Sequence, residues 1–283
     1  MRQGKVSRTA QFVAYNRALA NLSPKVPGFS DPVAELFLSE KRKKKVDERR
    51  AELAANPAKS PFPIWFRGMG IFNQFRTVVL DKAVRSAIPC NQFVILGAGL
   101  DSRAWRMPEL EATIVFEVDH PDTQNLKQQK TAGLKPLAKG VRFIPMDFTR
   151  DDLASKLQAT GYDANQKAFW LWEGVAMYLT PEQVAQNLSS IASLSVSGSG
   201  LALTYMASND GKIPKSWFLA LLGEPVRSAF SLDEFKLVAS GVGWKTVSNT
   251  GIADWKREFT PDMTLTERNV GLQWNERIWL GSI

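Results

Sequence analysis

Residues 93–103 read FVILGAGLDSR, in which four apolar residues run into two glycines spaced Gly-x-Gly. A strand that ends in such a pair is typical of nucleotide-binding sheets, because glycine permits a sharp turn and a close approach of ligand to backbone. A dinucleotide site would carry a third glycine, but residues 100–103 stand in its place. Asp101 also puts a negative charge where a pyrophosphate would dock. The stretch therefore favours a ligand that has a ribose and a base but no phosphate.

Short apolar segments alternate with helix-length segments after Pro89. This alternation predicts an α/β fold, Rossmann-like and doubly wound, with a mainly parallel seven-stranded sheet. The last two strands have no helix-length pattern between them, so we expect a terminal hairpin and one antiparallel strand. Strands are predicted at residues 93–96, 113–118, 141–145, 168–172, 200–205, 244–247 and 277–280, and helices at 122–131, 151–160, 181–194 and 232–241.

The chain is predicted to have an N-terminal helical cap or lid, residues 1–87, and a ligand-binding core, residues 88–283. Ser7 is expected to cap the first helix of the cap, and Asp31 with its following proline to begin another. Residues 208–230 are interpreted as an insertion on the substrate side. Part of that insertion is apolar enough to cover a hydrophobic small molecule, and plain packing would explain it equally well.

The amino-acid composition limits where the protein can be located and which partners it can bind. The 283 residues are 44% apolar and carry a formal net charge of +8. The single Cys90 forms no internal disulfide, which fits a cytoplasmic protein, and no metal site is expected. No apolar run approaches the roughly 20 residues that span a bilayer, and no signal peptide is evident. Much of the positive charge lies in residues 41–50, typical of a solvated helix, so neither a nucleic-acid nor a membrane partner is expected. The oligomeric state is left open.

The second predicted strand ends in Asp119, 22 residues after Gly97. A carboxylate at that spacing is placed to hold the two hydroxyls of a ribose. Glu117 is a reserve candidate on the same side of the strand, and a capping role for Asp119 before Pro121 stays open. Together with Asp101, these residues favour S-adenosylmethionine, which has a ribose, a base and a cationic sulfonium but no phosphate.

Three motifs in order, GAGLDSRAWRM (97–107), FEVDHP (116–121) and WEGVAMYLTPEQV (172–184), resemble the leucine carboxyl methyltransferase family of class I S-adenosylmethionine-dependent methyltransferases. Residues 7–20 and 223–244 are also similar to family segments. The resemblance implies an O-methyltransferase with S-adenosylmethionine as cofactor. For the cofactor site, it implies that Gly97, Ala98 and Gly99 line the methionine and ribose side and that Asp119 binds the ribose hydroxyls. Asp147 and Phe148 would lie at the edge of the adenine. At the methionine end of the cofactor, Glu173 would lie near the amino group and Arg76 would hold the carboxylate.

Some of these residues have competing interpretations. Arg67 competes with Arg76, and Asp147 could instead cap the turn near Asp151. Arg103 and Arg106 are expected to pair with acids rather than to bind substrate. The tryptophans at 65, 170, 172 and 217 are expected in the core.

The scarcity of histidine bears on the methyl acceptor. A hydroxyl acceptor usually needs a general base, but the single His120 is expected to face the ribose or the adenine. A carboxylate is already ionised at neutral pH and needs no base. We therefore predict O-methylation of a carboxylate on a small molecule or peptide, with Arg8, Arg17 and Lys215 as possible attractors. The alternative is a hydroxyl of a polyketide-like or other secondary metabolite, for which an aspartate, a glutamate or Tyr178 could serve as the base.

Two other classes fit the sequence less well. An NAD-dependent oxidoreductase would need the third glycine and a Tyr-x-x-x-Lys or histidine catalytic set. A non-catalytic nucleic-acid-binding protein would explain the net charge but not the order of motifs from Gly97 to Glu173.

Overall fold

The computed structural model describes residues 6–62, 67–148, 150–208, 225–263 and 275–283. Its helices are α1 (Arg8–Leu22), α2 (Glu40–Ala55), α3 (Arg67–Ala87), α4 (Arg103–Arg106), α5 (Pro121–Thr131), α6 (Leu153–Gln158), α7 (Pro181–Ser193), α8 (Leu232–Gly241) and α9 (Ile252–Phe259). Its strands are β1 (Gln92–Leu96), β2 (Ile114–Asp119), β3 (Gly140–Pro145), β4 (Ala168–Trp172), β5 (Gly200–Met206), β6 (Lys245–Thr250) and β7 (Glu276–Ser282). Short 3-10 turns lie at Ala34–Phe37, Pro108–Leu110 and Ala176–Tyr178.

The seven strands form one sheet in the order β3-β2-β1-β4-β5-β7-β6. Strand β1 pairs in parallel with both β2 and β4, and β7 pairs antiparallel with both β5 and β6. The predicted fold class is confirmed, including the single antiparallel strand. The winding reverses between β1 and β4, and in such sheets the carboxyl ends of the strands at this reversal form a crevice for ligands.

The expected terminal hairpin is wrong in one respect, because helix α9 lies between β6 and β7. The Gly251 N–H donates to the Asp254 carboxylate at 2.9 Å, which closes the first turn of the helix. Trp255 is the buried residue of α9, and its ring N–H donates to Thr250 Oγ1 at 2.9 Å. Eight residues with one buried position are too few for a helical period to be visible in the sequence.

Alternate residues of β1 pack against two separate helical layers. Phe93 and Ile95 belong to the cluster that includes residues of α1 and α3, whereas Val94 and Leu96 face the cluster that includes α6, α7 and α8. The N-terminal helices are thus packed against the core. The division at residue 87 stays a prediction, and most of the interpreted insertion, 209–224, lies outside the described residues.

Several local expectations are confirmed. Ser7 caps α1 by accepting the Ala10 N–H at 3.0 Å. Asp31 accepts the Ala34 N–H at 3.0 Å, but the helix expected to begin there is wrong, because only the 3-10 turn Ala34–Phe37 follows, and its N-cap is Val33. The basic run lies on α2, whose buried position is Val46. Two of the four tryptophans, Trp170 and Trp172, are fully buried, and the other two lie outside the described residues. Within the described ranges, no helix is both long and apolar enough to cross a bilayer.

Candidate active site

A cavity of about 520 Å³ opens at the carboxyl ends of β1, β2, β3 and β4. The turns that follow these strands form its floor, and α1, α3 and residues 225–227 contribute to its walls. The structure brings all the predicted cofactor-binding residues to this cavity: Arg76, Gly97, Ala98, Gly99, Asp119, Asp147, Phe148 and Glu173. Their roles toward a cofactor stay predictions.

The glycine turn after β1 is an open backbone cradle. Gly97 and Gly99 have φ angles of +65° and +51°, in the left-handed region that disfavours a side chain. A Cβ at Gly97 would lie 2.2 Å from Val175 Cγ2. The Gly-x-Gly spacing is therefore explained by a turn that brings main chain, rather than side chains, to the cavity.

Gly97→Ala is expected to lower the free energy of unfolding by about 1–3 kcal/mol, since a non-glycine left-handed residue costs roughly 1–2 kcal/mol and Val175 must also move. Denaturant unfolding measures this change. Gly133→Ala is the control, because its φ is not in the left-handed region and a Cβ there meets no atom within 4 Å. Equal effects of the two substitutions would contradict the argument.

Asp119 ends β2 at the wall of the cavity. Its carboxylate accepts the backbone N–H groups of Gly99 and His120. Burial raises the pKa of Asp119, and the two backbone donors oppose this rise. The residue that caps α5 is His120, whose Nδ1 accepts the Asp122 N–H at 3.3 Å. The helix-capping role that was left open for Asp119 therefore belongs to His120.

The reserve candidate Glu117 does not line the cavity. It is fully buried and pairs with Lys127 of α5 at 2.5 Å. The Lys127 ammonium also lies 5.3 Å from the centre of the Trp105 ring. Glu117 therefore joins β2 to α5 inside the protein.

Asp147 and Phe148 follow β3 and line the cavity. The Asp147 N–H donates to the Asp151 carboxylate at 2.9 Å, and the Asp147 carbonyl accepts the Asp151 N–H at 2.9 Å. The cap of α6 is Asp152, which accepts the Ser155 N–H at 2.8 Å. Asp147 is therefore not the cap of α6, although it takes part in the local turn with Asp151.

Glu173 follows β4 between two buried guanidinium groups. Arg76 Nε lies 3.0 Å from Glu173 Oε1, and Arg103 Nη1 lies 3.0 Å from Glu173 Oε2. Burial opposes ionisation of Glu173, but Arg103 and Arg76 outweigh it and hold its pKa below the usual range. Arg67 is exposed and lines a separate depression with Arg49, so the position at the cavity falls to Arg76.

Arg103 is the centre of a buried ion-pair network. Its side chain is fully buried and contacts the carboxylates of Asp101 and Glu173, and its Nε lies 2.8 Å from Asp81 Oδ1. Arg106 also pairs with Asp81, at 2.6 Å. Burial disfavours the charge on Asp81, but Arg106 and Arg103 hold its pKa below the usual range. The expectation that Arg103 and Arg106 pair with acids is confirmed.

Two of the three basic residues proposed to attract an anionic substrate are within the described structure. Arg17 lines the cavity but is buried, donates to the Leu100 carbonyl at 3.0 Å and lies 3.5 Å from Asp31. Arg8 is exposed on α1, and Lys215 lies outside the described residues. Arg17 therefore has structural partners already.

Sequence reasoning missed two residues at this site, Glu276 and Arg227. Glu276 is buried at the start of β7, and its carboxylate accepts from Arg76 Nη1 at 3.1 and 3.2 Å. The two residues are 200 positions apart, so no local pattern could reveal the contact. Arg227 lines the cavity from the segment that follows the undescribed residues. In the sequence, Arg227 was marked only by lying within residues 223–244, which are similar to a family segment.

The sheet order and the cavity at the strand reversal are those of the class I methyltransferase fold. A DUF574 family protein of Streptomyces avermitilis shares the fold with a TM-score of 0.58 and 15% identity, over 98% of this chain and 97% of that one. The family model "Leucine carboxyl methyltransferase" matches residues 10–192.

A relative of Mycolicibacterium gilvum is 31% identical over 89% of this chain and 82% of its own length. Another, of Mycobacterium sp. strain JLS, is 34% identical over 71% of this chain and 64% of its own length. Both bear the name "Putative S-adenosyl-L-methionine-dependent methyltransferase". The chain belongs to the leucine carboxyl methyltransferase family. The prediction of a methyltransferase is confirmed at the level of that family.

Proposed function

We propose that this protein is an S-adenosylmethionine-dependent O-methyltransferase that methylates a carboxylate of a small molecule or peptide. The observation that carries the proposal is one cavity that combines the left-handed glycine turn, the Asp119 carboxylate and the Arg76–Glu173 pair. Family membership supports the cofactor, and the cavity chemistry supports the acceptor.

The residues at the cavity fit S-adenosylmethionine. The turn at Gly97 and Gly99 lines the cavity with main chain, which a ligand can approach closely. Asp119 suits two ribose hydroxyls, and Glu173 suits an ammonium. Arg76 lines the cavity where the cofactor carboxylate is expected, but its Nε and Nη1 already face Glu173 and Glu276, which leaves Nη2 for a ligand. The adenine would lie toward Asp147 and Phe148.

A dinucleotide cofactor fits less well because no third glycine follows the turn, and residues 100–103 stand in its place. Asp101 is ionised there, since Arg103 and more distant cations outweigh the cost of burial and hold its pKa well below the usual range. Arg103 also pairs with this carboxylate, so its charge is compensated and repels an anion less than the sequence suggests. The missing glycine is therefore the argument against an NAD-dependent oxidoreductase.

When bound, the cofactor supplies a methyl group on a positively charged sulfur. The protein has to align an acceptor with that methyl group and exclude water. Phe12, Val13 and Met69 contribute apolar lining to the cavity, which suits this task because an anion and a cation attract each other strongly where water is excluded. His120 is occupied in capping α5 and lies beside Asp119, which favours an acceptor that needs no base.

A hydroxyl acceptor remains the second candidate, because Tyr178 also lines the cavity. The Tyr178 phenol could take the proton from a polyketide-like alcohol.

Nucleic-acid binding has little support from the basic helix α2. Acidic residues on the same helix pair with its cations, such as Glu40 with Lys43 at 3.0 Å and Glu52 with Arg49 at 2.6 Å. A cytoplasmic location stays a prediction.

Thermal unfolding with S-adenosylmethionine, S-adenosylhomocysteine and NADH in parallel tests the cofactor. A ligand at about 100 times its dissociation constant stabilises by roughly 2.7 kcal/mol, which for a chain of this size is a shift of several degrees. We expect shifts with the first two ligands and none with NADH. A shift with NADH alone would overturn the proposal.

The product chemistry then separates the two acceptor classes. Transfer of a labelled methyl group to a carboxylate gives an ester, which alkali hydrolyses with release of labelled methanol. Transfer to a hydroxyl gives an ether that survives the same treatment. We expect alkali-labile label, and alkali-stable label would favour the hydroxyl alternative.

A further inference from the structure

Six apolar side chains contribute to the lining of the cavity and are referred to here as its apolar wall. They are Phe12 and Val13 of α1, Met69 of α3, and Met177, Leu179 and Pro225. These side chains offer no charge and no strong hydrogen-bond donor to a ligand. An acceptor bound there would present an apolar body to this wall.

Arg227 lies beside this wall and is presented by an anchored backbone. Its N–H donates to the Met177 carbonyl at 2.7 Å. The hydroxyl of the next residue, Ser228, donates to the Ala176 carbonyl at 3.1 Å, and Ser228 is buried. The segment is thus held on the 3-10 turn Ala176–Tyr178, at the cavity.

The guanidinium of Arg227 differs from the other two at the cavity wall. Arg76 pairs with Glu173 and Glu276, and Arg17 lies against Asp31. Arg227 is exposed, and among the described residues its side chain has no carboxylate within ion-pair distance. Its positive charge is therefore available to a ligand.

We propose that Arg227 binds the carboxylate of the methyl acceptor and that the acceptor is an apolar monocarboxylic acid. This inference rests on the proposed function and names its substrate class. The guanidinium holds the acceptor carboxylate by charge-assisted hydrogen bonds, while the apolar body of the acceptor packs against Phe12, Val13 and Met69.

Methyl transfer to a carboxylate needs no general base. One carboxylate oxygen forms a bond to the methyl carbon while the bond between that carbon and sulfur breaks, and the electron pair of the broken bond stays on sulfur. The anion and the sulfonium cation become a neutral ester and a thioether, and no proton is transferred. Because Arg227 acts on the bound acid before the reaction, its loss is expected to raise KM more than it lowers kcat.

Titration calorimetry tests the inference on protein saturated with S-adenosylhomocysteine, with octanoate and its uncharged analogue octanamide as probes. Octanoate is expected to bind about tenfold more tightly, which is the order of one hydrogen bond to a charged group at an exposed site. Arg227→Gln should abolish this preference, and Arg227→Lys should retain part of it. Arg257→Gln is the control, because Arg257 is exposed on α9 and does not line the cavity.

The outcomes separate the two proposals. If S-adenosylhomocysteine does not bind, the proposed function is overturned. If it binds and octanoate shows no advantage over octanamide, the acceptor class is wrong. A preference for octanoate that persists in Arg227→Gln overturns the role of Arg227 and leaves the proposed function standing.

Discussion

Arg103→Met is expected to lower the free energy of unfolding by about 3–5 kcal/mol, the range found when one partner of a buried ion pair is removed. Methionine keeps much of the side-chain volume, so the loss reports mainly on charge. Without Arg103, the negative charges of Asp101 and Glu173 would lose a cation that pairs with them. Asp81 would keep only its ion pair with Arg106. Denaturant unfolding at pH 7 measures the change.

The control for this prediction is Arg85→Met. Arg85 pairs with Glu109 at 2.5 Å, but both side chains are partly exposed, so the loss should stay below about 1 kcal/mol. A loss of that size for Arg103→Met would mean that the network contributes little to stability.

The pH dependence separates a charge effect from a packing effect. The pKa values of Asp81, Asp101 and Glu173 are held below their usual range in the folded protein. Their contribution to stability is therefore present above the unfolded pKa of about 4 and is lost as the pH falls through the folded values. The deficit of Arg103→Met should shrink as the pH falls below about 4. A deficit independent of pH would indicate lost packing.

Asp119→Ala is expected to weaken binding of S-adenosylmethionine and S-adenosylhomocysteine by at least about 100-fold. Two hydrogen bonds to a charged carboxylate contribute roughly 1.5–3 kcal/mol each, and every 1.4 kcal/mol is tenfold in affinity. Calorimetric titration measures the affinity. Thermal unfolding of the free variant shows whether the turn at Gly99, whose N–H donates to Asp119, still forms.

Two further variants make this test specific. Asp119→Asn keeps an oxygen that can accept the Gly99 N–H but turns its NH2 group toward the His120 N–H, so it should cost less stability than alanine while still weakening the ligand. Asp233→Asn removes an exposed carboxylate on α8 and should change nothing. Unchanged affinity in both Asp119 variants would show that the ribose is held elsewhere.

The motif residues could be predicted because their signals are local. Each strand of the parallel half ends in a short segment of turn and acidic residues, and parallel strands deliver these ends to one edge of the sheet. Gly97, Asp119, Asp147 and Glu173 thus meet at one cavity although they are spread over 77 positions of the chain. The left-handed turn at Gly97 also follows from its residue type.

Other features required the tertiary structure because they depend on distant residues. The choice of Arg76 over Arg67 depends on which turn of α3 faces Glu173 and Glu276. The exclusion of Glu117 from the site depends on Lys127 of α5, which pairs with it inside the protein.

By itself, the sequence determined the fold class, the positions along the chain of the strands that carry the motifs, and the edge of the sheet where the site lies. Hydrophobic period, turn residues and spacing are local properties of a chain. Only the tertiary structure decided which charged groups are compensated. Arg103 and Arg17 have buried carboxylates beside them and Arg227 has none among the described residues. That difference arises from packing between segments far apart in the chain, and it makes Arg227 the guanidinium available to an acceptor.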